Sequence, residues 1–401
     1  MNIIFLTMTR ITGISSRGIY IDLMRKFRDE GHQVYIVSPR ERSLNLMSGL
    51  VEVDGVHILG VKTLNLQKTS IIEKGVGQVL VESLYKREIK KCLSNVKFDL
   101  ILYSTPPITF PKVIKYLKQS NPSAKSYLLL KDIFPQNAVD LGMMKITGLK
   151  GVLYRYFRKK EKALYKVSDH IGCMSPANVE YLLKHNPEIQ AERVEVAPNS
   201  VELDVRGKKE DVRGIREKYN LPIDKPIFIY GGNLGKPQGI PFLIQCLDAN
   251  ANRQDCFFVI IGTGTELPKL KAWYNENTPC SVKVMDGLPK LDYDNLVKSC
   301  DVGLIFLDHR FTIPNYPSRL LSYLENKMPI LCATDVNTDI GRIAEENGYG
   351  YWCESNSVEA FTSILDKMIH CDRKTMGERG FEFLKKNYLV ENTYQEIIKH
   401  M

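Results

Sequence analysis

FLDHRFTIPNYPSRLLSYLENKMPILCATDVNTDIG, residues 306–341, reads as the end of a strand, a loop, a helix and a second strand. The apolar run 302–307 leads into it, and residues 329–333 give an equally apolar strand beyond it. A helix is expected from about Pro317, because proline in a first helical turn forfeits no hydrogen bond. Two strands joined by a helical crossover pair in parallel, so the stretch points to an α/β sheet. The first turn of that helix offers N–H groups to an anion, and Arg319 sets a full positive charge beside them. A nucleotide diphosphate needs that combination; a capped surface helix with a solvated arginine is the ligand-free reading of the same residues.

The alternation extends in both directions. Upstream, apolar runs at 2–8, 33–38, 56–61, 98–103, 126–130 and 170–174 alternate with amphipathic stretches such as 20–30 and 71–93. Strands so spaced form a parallel sheet covered on both faces, and ligands bind at the carboxyl ends of its strands. The loops after Met8, Tyr103 and Leu130 are therefore the ones to watch. Between 199 and 226 the pattern lapses into the charged segment RGKKEDVRGIREKYNLPIDKP, expected to be a linker with a lead-in helix. It restarts with strands at 227–230, 256–261, 282–285, 302–307 and 330–333, and helices at 240–249 and from Glu266. The expected organisation is two doubly wound domains, 1–200 and 201–387, facing a cleft, with a last helix at 388–401 packing back on the first.

The 401 residues are 44% apolar and 25% charged, ordinary for a soluble globular protein. Nine cysteines show no C-x-x-C spacing and sit mostly in apolar runs, which reads as reduced thiols in a cytoplasmic protein. No apolar run is long enough to span a membrane, and the start MNIIFLTMTR reads as a strand rather than a signal peptide. Residues 1–200 hold 30 Lys and Arg against 18 Asp and Glu, net +12; the rest hold 25 against 28, net −3, giving the overall +9. Such asymmetry suggests that the first half faces an anionic partner, a membrane surface or a nucleic acid. The segment 145–166, KITGLKGVLYRYFRKKEKALYK, mixes Arg155, Arg158, Lys159, Lys160 and Lys162 with Leu153, Tyr154, Tyr156 and Phe157. It reads as a membrane-surface helix or as a core helix with a solvated basic face.

The loop GGNLGK, residues 231–236, follows a strand and precedes a helix, so its glycines can approach a phosphate and Lys236 can neutralise it. It is not a P-loop, because Pro237 follows Lys236 where Ser or Thr is required. Gly262-Thr263-Gly264 lacks the third glycine of a dinucleotide fingerprint and reads as a turn. Asp292-Tyr293-Asp294 resembles a metal-binding D-x-D but stands where a helix starts, so a helix cap is the expected role. Asp132 closes a strand of the first sheet; it suits a group that orients or deprotonates a hydroxyl, or a cap for a short helix from about Phe134. The seven histidines show no ligand spacing, and no metal is expected.

In this order the segments KDIFPQNAVDLG, SDHIGCMS, VAPNSVEL, YGGNLGKPQGI, VIIGTGTELPKL, MDGLPKLDYDNLVKSCDVGL and NYPSRLLSYLENKMPILCATD resemble the retaining glycosyltransferases of the GT-B fold. The likeness is to family four, in its capsule and O-antigen branch. It implies two Rossmann-like domains, a UDP-sugar donor in the second, and a polyprenyl-diphosphate-linked sugar acceptor in the first, at the inner face of the cytoplasmic membrane. Gly232, Asn233, Lys236, Ser318 and Arg319 would meet the donor diphosphate, and Gly287, Leu288 and Pro289 the uracil. Gly13 and Arg17, in the first glycine loop, would border the acceptor with Asp132. The family's two glutamates fall on Pro314 and Ser322, with Glu325 one turn on as a replacement ribose contact, and the usual histidine is missing from STPPIT. Within the branch the likeness is to N-acetyl-L-fucosamine transferases. No cofactor and no nucleic acid are implied. A UDP-sugar epimerase of the same architecture and a basic nucleic-acid-binding protein are the competing readings.

Overall fold

The computed structural model describes residues 1–66, 71–148, 151–203 and 211–401. The chain divides into two compact units, Met1–Glu202 with Leu389–Met401, and Leu203–Tyr388. Parts of two sequence segments, residues 149–150 of the basic stretch and 204–210 of the charged linker, lie outside the described residues.

The first unit runs β1 (Asn2–Leu6), α1 (Ile19–Asp29), β2 (Gln33–Glu41), β3 (Gly49–Val53), β4 (Val56–Thr63), α2 (Ile71–Cys92), β5 (Leu100–Ser104), α3 (Pro111–Ser120), β6 (Lys125–Leu130), α4 (Gln136–Asp140), α5 (Gly151–Val167), β7 (His170–Cys173), α6 (Pro176–His185) and β8 (Val194–Val196). Its sheet has the order β3-β4-β2-β1-β5-β6-β7-β8, parallel except for the edge strand β3. Central strands such as β5 are buried along their whole length, as a sheet covered on both faces demands. On one face α1 presents Leu23, Met24 and Phe27 to Ile3, Phe5 and Ile36.

The second unit runs α7 (Val212–Lys218), β9 (Ile227–Asn233), α8 (Ile240–Ala249), β10 (Phe257–Thr263), α9 (Leu267–Asn277), β11 (Val282–Asp286), α10 (Lys290–Lys298), β12 (Val302–Phe306), α11 (Arg319–Glu325), β13 (Ile330–Thr334), α12 (Ile340–Glu346), β14 (Gly350–Glu354), α13 (Val358–His370) and α14 (Arg373–Asn387). All six strands are parallel, in the order β11-β10-β9-β12-β13-β14. Phe228, Phe258, Leu304 and Phe306 from the sheet form one core with Leu243 and Leu247 of α8 and with Phe361 and Leu365 of α13. The last helix, α15 (Val390–Ile398), belongs to the first unit, where Val390, Tyr394 and Ile397 join the α1 face of the core.

Several local expectations are corrected. The residues read as the GGN and GTG turns mostly continue β9 and β10, because parallel ladder pairing with each other carries both strands outward to Asn233 and Thr263. Pro317 lies outside α11, which starts at Arg319 with Ser318 as its cap residue; Pro317 supplies the carbonyl that Leu320 N–H meets in the entering turn. Asp292 makes no cap bond, since Pro289 holds the cap position of α10; it stands in the first turn, where its charge complements the helix dipole as expected, and it pairs with Lys218 at 2.9 Å. Asp132 is not a cap either: α4 begins only at Gln136, behind Pro135.

Candidate functional site

In the second sheet β9 lies between β10 and β12, and successive connections leave it in opposite directions. That switch point opens a crevice at the carboxyl ends of β9 and β12, where doubly wound sheets bind ligands. Two glycines shape its floor. Gly232 has φ +116°, which side-chain-bearing residues rarely adopt, and a Cβ on Gly262 would stand 1.8 Å from the Gly232 carbonyl. Past Asn233 the chain makes a short turn over Lys236–Gln238 and enters α8. The loop after β12 is tied to that turn by Asp308 N–H donating to the Pro237 carbonyl at 3.1 Å. Arg310 grips Asp308 with two bonds of 2.8 and 2.7 Å. Burial opposes the Asp308 carboxylate, but these bonds outweigh it and keep its pKa below the usual value.

Arg319 occupies the centre of this arrangement. Its guanidinium lies over the Tyr230 ring, 4.2 Å from the centroid, and Nη2 donates to Gln238 Oε1 at 2.8 Å. Tyr230 is itself fixed by its hydroxyl, which donates to the Asn233 carbonyl at 2.7 Å. Nη1 is buried with no hydrogen-bond partner among the described residues. Burial disfavours the cation, yet the facing tyrosines, Tyr230 first, hold its pKa above the ordinary arginine value. Among the described residues no carboxylate is paired with Arg319. The guanidinium is thus held by a neutral amide and an aromatic ring, with Nη1 covered and without a hydrogen-bond partner among the described residues.

The sequence-named residues distribute around Arg319 unevenly. Gly232, Asn233 and Lys236 are exposed on the adjoining loop, and the Lys236 side chain has no partner among the described residues. Ser318 is exposed at the head of α11; Ser322 and Glu325 follow at helical spacing, half-buried, with Glu325 already engaged by other groups. Gly287, Leu288 and Pro289 form the turn between β11 and α10, and Gly287 backs onto Thr263 at the end of β10. Sequence reasoning did not assign Tyr230 and Gln238 their part in holding Arg319. A tyrosine ending an apolar strand reads as core, and nothing in the sequence joins Gln238 to a residue 81 positions away.

The first sheet has its switch point between β1 and β5. The loop carrying Gly13 and Arg17 is braced from the turn between β3 and β4: Asp54 accepts from Ile14 and Ser15 N–H at 2.9 and 3.1 Å. Arg17 donates to the Glu202 carbonyl, and Arg25 pairs with Asp22 at 2.6 Å and Glu202 at 2.8 Å. Beyond β5, Thr105 Oγ1 accepts from the N–H groups of Lys131 and Asp132 at 2.9 and 3.1 Å. Asn137 Nδ2 donates to Asp132 at 2.8 Å. Burial raises the Asp132 pKa to about 6, against the pull of Asn137 and the Ile133 N–H.

The basic segment combines its two readings. Phe157, Leu164 and Tyr165 of α5 are buried, and Arg158, Lys160 and Lys162 pair with Glu161, Glu82 and Glu188. Val152 (56% exposed), Leu153 (52%) and Tyr156 stay exposed together with Arg155 and Lys159. No helix among the described residues is long and apolar enough to cross a membrane.

Comparison with known proteins agrees with this architecture. The chain is 25% identical over 328 residues to the probable glycosyltransferase WbjE of Pseudomonas aeruginosa, covering 80% of this chain and 78% of that one. It is 24% identical over 192 residues to the putative colanic acid biosynthesis glycosyl transferase WcaI of Escherichia coli K12, covering 47% and 46%. The structure of Anabaena Alr3699/HepE in complex with UDP superposes with a TM-score of 0.69 at 12% identity, covering 100% of this chain and 99% of that one. These matches support a glycosyltransferase. The two Rossmann-like units are those of the GT-B fold, and residues 211–383 of the second match the family of glycosyl transferases group 1.

Proposed function

We propose that the protein is a retaining glycosyltransferase of polysaccharide assembly, moving a sugar from UDP to a polyprenyl-diphosphate-linked sugar acceptor at the cytoplasmic membrane. The observation that carries this reading is Arg319, a half-buried cation without a counter-charge among the described residues, at the switch point of the second sheet. A diphosphate supplies the missing charge. UDP bound to HepE and the polysaccharide role in the name of WcaI support the donor and the pathway class. N-acetyl-L-fucosamine is the donor sugar we favour, on the sequence likeness alone.

In the proposed reaction the bond between the anomeric carbon and the β-phosphate oxygen breaks. The acceptor oxygen bonds to the same face of that carbon, and its proton passes to the departing phosphate. Arg319 and Lys236 stabilise the charge growing on the leaving group, with Gly232, Asn233 and Ser318 beside the phosphates. The backbone of Gly287, Leu288 and Pro289 holds the uracil, and Ser322 and Glu325 the ribose. Asp132 orients the acceptor hydroxyl. No metal takes part. The exposed Val152, Leu153 and Tyr156 between Arg155 and Lys159 would sit on an anionic bilayer.

The test is transfer of radiolabel from a panel of UDP-sugars into butanol-extractable lipid, with and without a chelator. Incorporation from one UDP-sugar, insensitive to chelation and with the donor's anomeric configuration kept, is expected. Interconversion of free UDP-sugars without lipid labelling would establish the epimerase reading instead.

A further inference from the structure

A cluster of titratable side chains outside the candidate site holds the C-terminal segment to the first unit. Tyr127 on β6 and His170 on β7 are register partners, so both side chains stand on one face of the sheet, the face that α1 and α15 cover. Gly172 comes next along that face and is paired with Glu195 on β8. A Cβ on Gly172 would stand 2.7 Å from the Tyr127 hydroxyl, so the bare glycine lets that hydroxyl reach Glu195, to which it donates at 2.6 Å. Glu195 also anchors the end of the segment. His400 Nε2–H donates to its two oxygens at 3.1 and 3.0 Å, and Lys399 pairs with it at 3.0 Å. The His400 ring then stacks on the His170 ring, with centroids 3.6 Å apart and planes 17° from parallel.

This stack suits neutral rings. His170 Nδ1 is buried with no hydrogen-bond partner among the described residues, and in an imidazolium both nitrogens are donors. A proton taken up by His170 therefore leaves a buried N–H unmet and sets a cation against the His400 ring. The charged and titratable groups around His170 are Lys125 and Tyr127 on β6, Asp169 beside it, Glu195 on β8, and Glu396, Lys399 and His400 of the C-terminal segment. Asp169 is already paired with Lys118 at 2.7 Å. Burial, then the charges of His400 and Lys125, outweigh the pull of Glu195 and Asp169 and hold the His170 pKa below its ordinary 6.5. Burial also opposes the Glu195 carboxylate, but the bonds from Tyr127, Lys399 and His400 outweigh it and keep that pKa below the usual value. Glu195 thus keeps its charge where a histidine titrates.

We propose that the His170–His400 stack is an acid-sensitive latch for residues 390–401: with His170 neutral the segment docks on the first unit, and a proton on His170 loosens it. The segment follows the second unit in the chain but belongs to the first, so the latch governs how firmly that return is fastened. His170 titrates near its ordinary value when the segment is undocked and below it when docked, so the undocked state takes up more protons as pH falls. Docking is complete above about pH 7, weakens as pH falls through 6.5, and weakens no further below the docked pKa. The latch does not depend on the transferase reading.

Hydrogen exchange of the full chain, read by mass spectrometry and corrected for the intrinsic pH dependence of exchange, tests the latch. One histidine that takes no proton while docked lowers the docking constant by up to about 11-fold at pH 5.5, one unit below its ordinary value. We expect protection of residues 390–401 to fall at least about threefold between pH 7.5 and pH 5.5, while residues 302–306 of the second unit hold theirs. His170→Phe keeps a ring in the stack and takes no proton. Its protection at pH 7.5 should match the parent's, and its loss at pH 5.5 should be at least about threefold smaller. His32, whose Nε2 meets the Tyr394 hydroxyl of α15 at 3.0 Å, is present in both proteins, so the difference between them belongs to His170. An equal loss in the two proteins, or no loss in the parent, overturns the latch. Where His170→Phe leaves the segment undocked at pH 7.5, an NMR titration of the His170 ring in the parent decides. A midpoint below 6.5 supports the latch, and one at or above 6.5 overturns it.

Discussion

Each sheet begins with a strand, β1 or β9, that leads into a glycine-bearing loop at the switch point, yet the two loops are finished differently. In the first, Asp54 takes the N–H groups of Ile14 and Ser15, and Asp22 and Glu202 neutralise Arg25. In the second, no carboxylate accepts from the loop among the described residues, and Arg319 faces it with a neutral amide and a tyrosine as partners. A glycine loop is therefore not an anion site by virtue of its glycines. What decides is whether the protein has already spent the positive potential of the loop on its own acids.

That contrast can be broken from either side. Arg319→Met should have the largest effect, abolishing stabilisation by UDP and lowering turnover by about 100-fold, as loss of a preorganised charge stabiliser does. Arg319→Lys should not rescue it, because a lysine reproduces neither the stack on Tyr230 nor the fork to Gln238. Lys236→Ala removes an exposed charge and should cost about tenfold in turnover, equivalent to about 1.4 kcal/mol; initial rates at saturating donor would show it, and unchanged kinetics would remove Lys236 from the site. Asn233→Asp, which gives the second loop an acid like that of the first, should weaken UDP binding by several-fold, measurable by calorimetry, with little change in melting temperature. The converse, Asp54→Asn, keeps an acceptor and tolerates the left-handed backbone at φ 54°. It should cost about 1 kcal/mol of stability, seen in urea unfolding, and leave the UDP response alone.

Asp132 adds a test by pH. Its folded pKa of about 6 lies above the unfolded value, so its favourable contribution is complete below about pH 4 and is lost as pH rises through 6. Asp132→Asn holds the neutral state throughout. The variant should match the parent near pH 3 and exceed it by up to about 3 kcal/mol at pH 8, about two pKa units at 1.36 kcal/mol each, while transfer at pH 8 falls. Equal stability at pH 8 would mean that the carboxylate is not strained there.

Strands buried on both faces were legible because they spell continuous apolar runs: β5, β12 and β13 stand within two residues of their expected bounds. β3 was not, since Leu50 and Val51 are both exposed on an edge and leave no face pattern to read. β14, with Gly350 and Glu354 at its ends, carries too short an apolar core to separate from a turn. At the site, Arg319, Lys236 and Gly232 could be named from residue type and local order. The clamp on Arg319 could not, because it joins Tyr230, Gln238 and Arg319 across two crossovers, and no local pattern records such a contact. Asp132 shows the same limit: its spacing fitted a cap or a functional acid, and only the start of α4 at Gln136 removed the cap.

The most direct test is a calorimetric titration of UDP and of uridine into the parent protein and Arg319→Met. If the half-buried guanidinium is the diphosphate receptor, UDP should bind the parent at least about 100-fold more tightly than uridine does, about 2.7 kcal/mol. That gap should largely vanish in the variant while uridine affinity stays the same. Equal UDP affinity in the two proteins would contradict the account, whatever sugar the enzyme transfers.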